Sequence, residues 1–257
     1  MFLTNVKDLD LKILQRLSDS DLKNICHVSK YGKRLYDDEI FWLNRLILIL
    51  RLDIGEIRDI KGDFSYKEIY FFNKHKIKRG ILEAVRRNNI HLFRKLWEDE
   101  DFKCYKYLEE ILHEIGKHGN KDLVTYICAK ENDPHYKYDI VGTIMYTANE
   151  SFIEWLLKTG ILAYDQYILC IFEHPKNFSL NSFPDISKYL SRIKDDDCYN
   201  IIHVIARYVD PDNLDIAKKI LEILITFKHV SISKDYLKKQ FVDHSSGLID
   251  QNFIDHL

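Results

Sequence analysis

Apolar residues recur three and four positions apart along almost the whole chain, and strand-like alternation is missing over any useful length. That spacing puts side chains on one face of a helix, so the chain is expected to be all-α. The pattern is sharpest beyond residue 80. Asn89, Asn120 and Asn149 stand 31 and 29 residues apart, each after one short helical segment and before another. At offsets of three, four, seven and eight come Leu92, Phe93, Leu96 and Trp97, then Leu123, Val124, Ile127 and Cys128, then Phe152, Ile153, Leu156 and Leu157. Asn213 opens a further copy with Ile216, Ala217, Ile220 and Leu221. A fainter one starts at Phe183 and keeps Ile186 and Leu190, with Ser187 and Ser191 in the other two places. The preceding helix repeats as well, through Ile81 and Ala84, Leu112 and Ile115, and Val141 and Ile144. Five registers of about 30 residues imply stacked helical hairpins, each burying its stripe against its neighbours.

The first 45 residues have a different rhythm. A helix is expected over Leu9 to Leu17, with Leu9, Ile13, Leu14 and Leu17 on a shared side. Ser18-Asp19-Ser20-Asp21 then supplies a hydroxyl and a carboxylate for the free N–H groups of a second helix, whose stripe is Leu22, Ile25, Cys26 and Val28. A third segment carries Tyr31 and Leu35, and Asp37-Asp38-Glu39 restarts the chain before Phe41-Trp42. Three helices in roughly 40 residues are at the limit of independent folding. Their stripes are wider than one small bundle hides, which leaves parts of Leu9, Ile13, Leu22, Ile25 and Val28 for a partner helix. The alternative is that they pack on the first hairpin of the repeats. The expected organisation is a three-helix domain at 1–45, a helical connector at 46–79 and repeats over 80–257.

Composition narrows the class. Hydrophobic residues at 46% and charged residues at 30% describe a soluble, folded protein, and 38 basic against 40 acidic residues give no overall pull toward nucleic acid or anionic membrane. The lysine-rich run at 74–79 reads as a solvated helix end. Five scattered cysteines without C-x-x-C spacing suit reduced thiols in the cytoplasm or nucleus. No signal peptide is expected at the N-terminus, and the apolar run 46–50 is too short to span a bilayer.

Two resemblances carry these readings further. "DLDLKILQRLSDSDLKNICHVSKYGKRLYDDEIFW" resembles an F-box: the family's paired positions fall on Asp8-Leu9, Ile13-Leu14, Leu17-Ser18, Asp21-Leu22, Val28 and Trp42 without a gap. Its Leu-Pro corner is Asn5-Val6 here, and "FSYKEIYFFN" is similar to the Trp-Lys-x-Leu-Tyr element that often trails an F-box, with Tyr66 in the Trp place. "EILHEIGKHGNKDLVTYI" resembles an ankyrin repeat, with Leu112-His113 and Gly119-Asn120 at its Leu-His and turn positions, although the Thr-Pro opening is missing throughout. A generic array of α-hairpins is the alternative. The combination resembles proteins that large DNA viruses encode in expanded families. The F-box resemblance implies docking on a Skp-type adaptor, and through it a cullin, by Val6, Leu9, Ile13, Leu17, Leu22, Ile25, Val28, Leu35 and Trp42. The repeats would then hold a target protein. The recurring Tyr105, Tyr107, Tyr136, Tyr138, Tyr164 and Tyr167 are the candidate contacts, against a role in inter-repeat packing. A ligase-independent scaffold, in which the N-terminal helices only cap the repeats, is the rival reading.

Catalytic chemistry is not expected. His113 and His118 in "HEIGKH" are five apart, about 140° round a helix, which separates them instead of pairing them on a metal. Asp195-Asp196-Asp197 reads as a solvated loop. Phosphate-binding glycine loops and a nucleophile elbow are both missing. Neither a cofactor nor a metal site is expected.

Overall fold

The computed structural model describes residues 3–4, 6–75, 78–100, 104–173, 195–228, 232–244 and 248–256. It is all-α, with no strand among the described residues. The chain divides into two compact units, Met1–Glu114 and Ile115–Leu257.

The first unit holds α1 (Lys7–Leu14), α2 (Asp19–Val28), α3 (Lys30–Tyr36), α4 (Glu39–Leu50), α5 (Ile54–Lys61), α6 (Tyr66–His75), α7 (Lys78–Arg86) and α8 (Ile90–Trp97). A short 3-10 turn, Cys104–Tyr107, then leads into α9 (Leu108–His118), whose last turn belongs to the second unit. Helix α2 packs on α3, α4 on α6, α6 on α7, and both α5 and α7 on α8. The boundary expected at residue 45 therefore falls inside a continuous helix. Phe41, Trp42 and Leu46 of α4 are fully buried, and the Trp42 ring lies 5.2 Å from the rings of both Tyr70 and Phe71 in α6. The N-terminal helices and the 46–79 segment share one core because α4 is apolar on more than one side.

The second unit continues with α10 (Lys121–Lys130), α11 (Pro134–Met145), α12 (Glu150–Lys158), α13 (Tyr164–Glu173), α14 (Asp195–Tyr208), α15 (Leu214–Lys228), α16 (Lys234–His244) and α17 (Gln251–His256). Helix α11 packs on α13, α13 on α14, α14 on α15 and α16, and α16 on α17. The fainter copy expected at 183–191 lies outside the described residues.

The asparagine register appears directly in the backbone. The amides of Phe93, Val124, Ile153 and Ala217 donate to the carbonyls of Asn89, Asn120, Asn149 and Asn213 at 3.0, 3.1, 3.0 and 3.0 Å. Side chains then diverge. Asn89 and Asn149 accept from Leu92 N and Phe152 N as helix caps, whereas Asn213 accepts from Asp210 N and donates to the Tyr208 carbonyl. Before two of the four stands a residue in the left-handed region, Asn88 (φ 49°) and Gly119 (φ 64°), the residue types that adopt it at least cost. Fifteen of the sixteen stripe positions counted from these asparagines are buried, and Trp97 is half-buried.

One glycine marks a close helix–helix approach. A Cβ on Gly116 of α9 would sit 2.1 Å from the carbonyl oxygen of Ile144 in α11, whereas one on Gly142 would meet only Cys170 Sγ at 3.4 Å. Gly116→Ala is expected to lower stability by about 1–3 kcal/mol through overpacking. Gly142→Ala, which gains helix propensity without a clash, is expected to leave the thermal midpoint unchanged or raised. Circular-dichroism melts of the two variants check the contrast; equal midpoints would remove the close approach as a constraint.

Candidate docking face of the N-terminal helices

A buried charge positions this face. Arg45 lies in the middle of α4 with no solvent exposure. An uncompensated guanidinium there would cost several kcal/mol; its two terminal nitrogens find partners, while the buried Nε makes no hydrogen bond. One terminal nitrogen donates to the carbonyls of Leu14, Gln15 and Leu17 at 3.4, 3.1 and 3.0 Å. The other donates to Asp19 Oδ1 at 2.7 Å and to the Tyr70 hydroxyl at 2.9 Å. The group also lies over the Tyr70 ring, 5.0 Å from its centroid. Asp19 completes the cluster: it accepts from Tyr70 at 3.1 Å and pairs with Lys74 at 2.8 Å and with His75 at 3.3 Å.

This cluster explains a difference from the expected first helix. Instead of reaching Leu17, α1 ends at Leu14, and the amides of Arg16 and Leu17 make tighter bonds to Ile13 and Leu14. The carbonyls beyond the helix turn onto Arg45. Helix α2 then starts where the sequence implied, with Ser18 Oγ accepting from Asp21 N at 3.1 Å and donating to the Asp21 carboxylate at 2.7 Å. Asp38 caps α4 through Ile40 N at 2.9 Å and holds Lys7 of α1 at 2.8 Å. Ahead of α1, the buried Asp10 carboxylate accepts from both the amide and the hydroxyl of Thr4, at 2.7 and 2.9 Å.

The nine expected docking residues separate into three groups. Val6, Leu9 and Val28 are 57%, 47% and 86% exposed. Ile13, Leu17 and Ile25 are half-buried. Leu22, Leu35 and Trp42 are core residues of this chain at 1%, 3% and 0% exposure, and are not presented to a partner. The reason is rotational: Leu22 faces the interior that Arg45 organises, and Ile25 and Val28 lie progressively farther round α2 toward solvent. Along α1, Val6, Leu9 and Ile13 follow at steps of three and four and share one side. Ile40, 59% exposed at the start of α4, is a further apolar surface residue that sequence reading passed over.

Of the expected target contacts, Tyr105 and Tyr136 are exposed, Tyr107, Tyr138 and Tyr164 are half-buried, and Tyr167 is a core residue of α13. Tyr167 is therefore not available as a contact. Helix α13 packs on both α11 and α14, and Cys198, Ile201, Ile202 and Ile205 of α14 are buried as well.

A cleft of about 700 Å³ beside α2 and α3 contains Cys26, His27 and Asp37, types that nucleophilic chemistry uses. Their arrangement does not assemble a nucleophile. Cys26 Sγ is directed at the Gly32 carbonyl, 3.9 Å away, and burial together with the Asp37 charge pushes its thiol up from the ordinary value. His27 is the next residue on the same helix, about 100° away round the axis, and makes no hydrogen bond to Cys26. Among the described residues, no three His, Cys, Asp or Glu side chains gather as metal ligands, and no helix is long and apolar enough to cross a membrane.

No protein-family model matches the chain, and neither a curated protein nor a solved structure matches it.

Arg45 and Asp19 were the positions sequence reading missed. The only signal was one arginine inside "EIFWLNRLILIL" together with an acidic residue beside a capping serine. Burial by itself would raise the Asp19 carboxyl, but the Lys74 ammonium, Arg45 and the Tyr70 hydroxyl outweigh it and hold the pKa below the ordinary 3.8. The folded state thus prefers the ionised form. Its contribution is complete above the unfolded value and is lost as pH falls through the lower folded value. Asp38, lowered chiefly by Lys7, acts in the same direction. Urea midpoints are expected to fall steeply below about pH 4. Asp19→Asn is expected to cost about 1.5–3 kcal/mol at neutral pH and to flatten that acid dependence. A variant whose pH profile runs parallel to the wild type would show that Asp19 is not the linked group.

Proposed function

We propose that the chain is a substrate-receptor subunit of a Skp-cullin-F-box ubiquitin ligase. The observation that carries this reading is apolar surface left uncovered on both N-terminal helices: Val6 and Leu9 in solvent at the start of α1 and Val28 in solvent at the end of α2, with Ile13, Leu17 and Ile25 half-buried. A patch of apolar side chains held on fixed helices is what a partner helix packs against. The F-box resemblance supplies the partner class, a Skp-type adaptor, and Arg45 holds the helices that display the row. The remaining helices, with the ankyrin-like register of Asn89, Asn120, Asn149 and Asn213, are the target-binding part, and Tyr105 and Tyr136 are its contact candidates. The chain performs no bond chemistry in this reading. It raises the target's effective concentration near the transferring subunits. The scattered cysteines suit a ligase in the cytoplasm or nucleus, which for a viral chain is that of the host cell.

The scaffold reading has one observation in its favour. Leu22, Leu35 and Trp42, three of the nine expected docking residues, are already occupied within the chain's own core.

Binding of the purified chain to a purified Skp-type adaptor, followed by calorimetry, separates the two. The wild type is expected to bind, and Leu9→Asp and Val28→Asp are each expected to weaken binding about tenfold or more while leaving the helical signal intact. Leu22→Asp is unsuitable because it would place a charge in the core. A folded wild-type chain that fails to bind the adaptor would overturn the receptor reading in favour of the scaffold.

A further inference from the structure

We propose that the cleft between α2, α3 and the start of α6 binds an acidic peptide segment carrying an aliphatic anchor, because Lys23, Lys30, Lys33 and Lys67 surround the exposed Val28 there. At about 700 Å³ the cleft has the size of sites that enclose a ligand of several residues. Four ammonium groups face a single carboxylate, Asp37, which already lies 3.4 Å from Lys67. Lys23, Lys30 and Lys33 make no ion pair with any described residue. Like charges gathered around one concavity repel one another, and an anionic occupant relieves that repulsion while gaining affinity.

Apolar surface in the same place defines the occupant further. Val28, at 86% exposure, ends α2 at the cleft wall, and an aliphatic side chain laid on it would remove both from water. Nucleic acid fits less well. The Tyr36 ring is already engaged, with the Lys67 ammonium 4.0 Å from its centroid and the edge-on Trp42 ring at 4.9 Å. That leaves the single His27 imidazole for a base to stack on, not a platform for successive bases. The chain's net charge of −2 also gives no long-range attraction for a polyanion. A short acidic segment needs only the local field.

The cleft shares Val28 with the adaptor row, so the two readings are separated at residues that belong to only one of them: Lys30 and Lys33 are outside the docking row and Leu9 is outside the cleft. The probe is a fluorescein-labelled peptide of alternating aspartate and glutamate around a central leucine, titrated against the full chain by fluorescence anisotropy. Saturable binding that weakens with added salt is expected. Lys30→Glu combined with Lys33→Glu should weaken it about tenfold or more, and replacing the peptide's leucine by serine should weaken it as well. Leu9→Asp, and Lys106→Glu combined with Lys117→Glu, should bind as the wild type does. The proposal is overturned by a folded wild type that shows no saturable binding, by equal losses in the cleft and remote double variants, or by a single-stranded oligonucleotide of matched charge binding as tightly as the peptide. Loss of adaptor binding in Leu9→Asp with the peptide still bound would leave both readings intact and separate.

Discussion

The first unit is organised around a guanidinium that water cannot reach. Arg45 sits in the middle of the most apolar helix among the described residues; both terminal nitrogens of its guanidinium find acceptors inside the protein, while its buried Nε makes no hydrogen bond. Three of its partners are backbone carbonyls, one from the last residue of α1 and two from the turn into α2, one is the carboxylate that opens α2, and one is a hydroxyl on α6. Geometry follows from that list. Helix α1 has to stop so that its carbonyls can turn inward, α2 has to begin next to them, and α6 has to approach near enough for Tyr70 to reach. A buried ion pair is weak support for stability by itself, because desolvation offsets the attraction. Its effect on arrangement is stronger. A helix turned by one residue in this unit would leave a donor or a carbonyl unmet, at about 1–3 kcal/mol each.

That constraint decides what the surface looks like. With α1 and α2 fixed in rotation, Leu14 and Leu22 point inward and Leu9 and Val28 point out. The uncovered apolar row is therefore a property of how Arg45 is satisfied and not only of the amphipathic pattern. A separate local cap holds the end of α2 against α3, since Ser29 both follows α2 and caps α3 through Gly32 N at 3.0 Å. The basic cleft is built on that corner.

The legible parts of the structure were those set by short-range geometry. The offsets from Asn89, Asn120, Asn149 and Asn213 specify helix faces a few residues long, and the burial of their stripes followed. The caps at Ser18 and Asp38 were legible for the same reason, since a hydroxyl or carboxylate satisfies amides within its own turn. Burial of Leu22, Leu35 and Trp42 was not legible, because a core leucine and an interface leucine have the same chemistry. Only the long-range partners of α2, α3 and α4 tell them apart. The break expected at residue 45 failed likewise: a change in rhythm along the sequence marked a new helix register, not a new core, and Trp42 reaches Tyr70 and Phe71 across it. Tyr167 recurred on schedule with the exposed tyrosines, yet it is buried on a helix packed against both α11 and α14.

The distribution of charge follows the same division between local and global. A chain with 38 basic and 40 acidic residues has almost no net field, and at physiological ionic strength a surface charge acts over about 8 Å. What a partner meets is therefore the local arrangement. Around most of the first unit, opposite charges neutralise one another, as Lys7 does with Asp38, Arg86 with Glu83 and Glu114, and Arg87 with Glu68. The cleft beside α2 departs from that rule, with four lysines and one aspartate on its walls. Asp19, the carboxylate on the same helix that might have balanced them, is committed to Arg45, Lys74 and His75. The buried arginine that fixes the helices thus also engages Asp19, and Asp37 is left as the one carboxylate on the walls of the cleft.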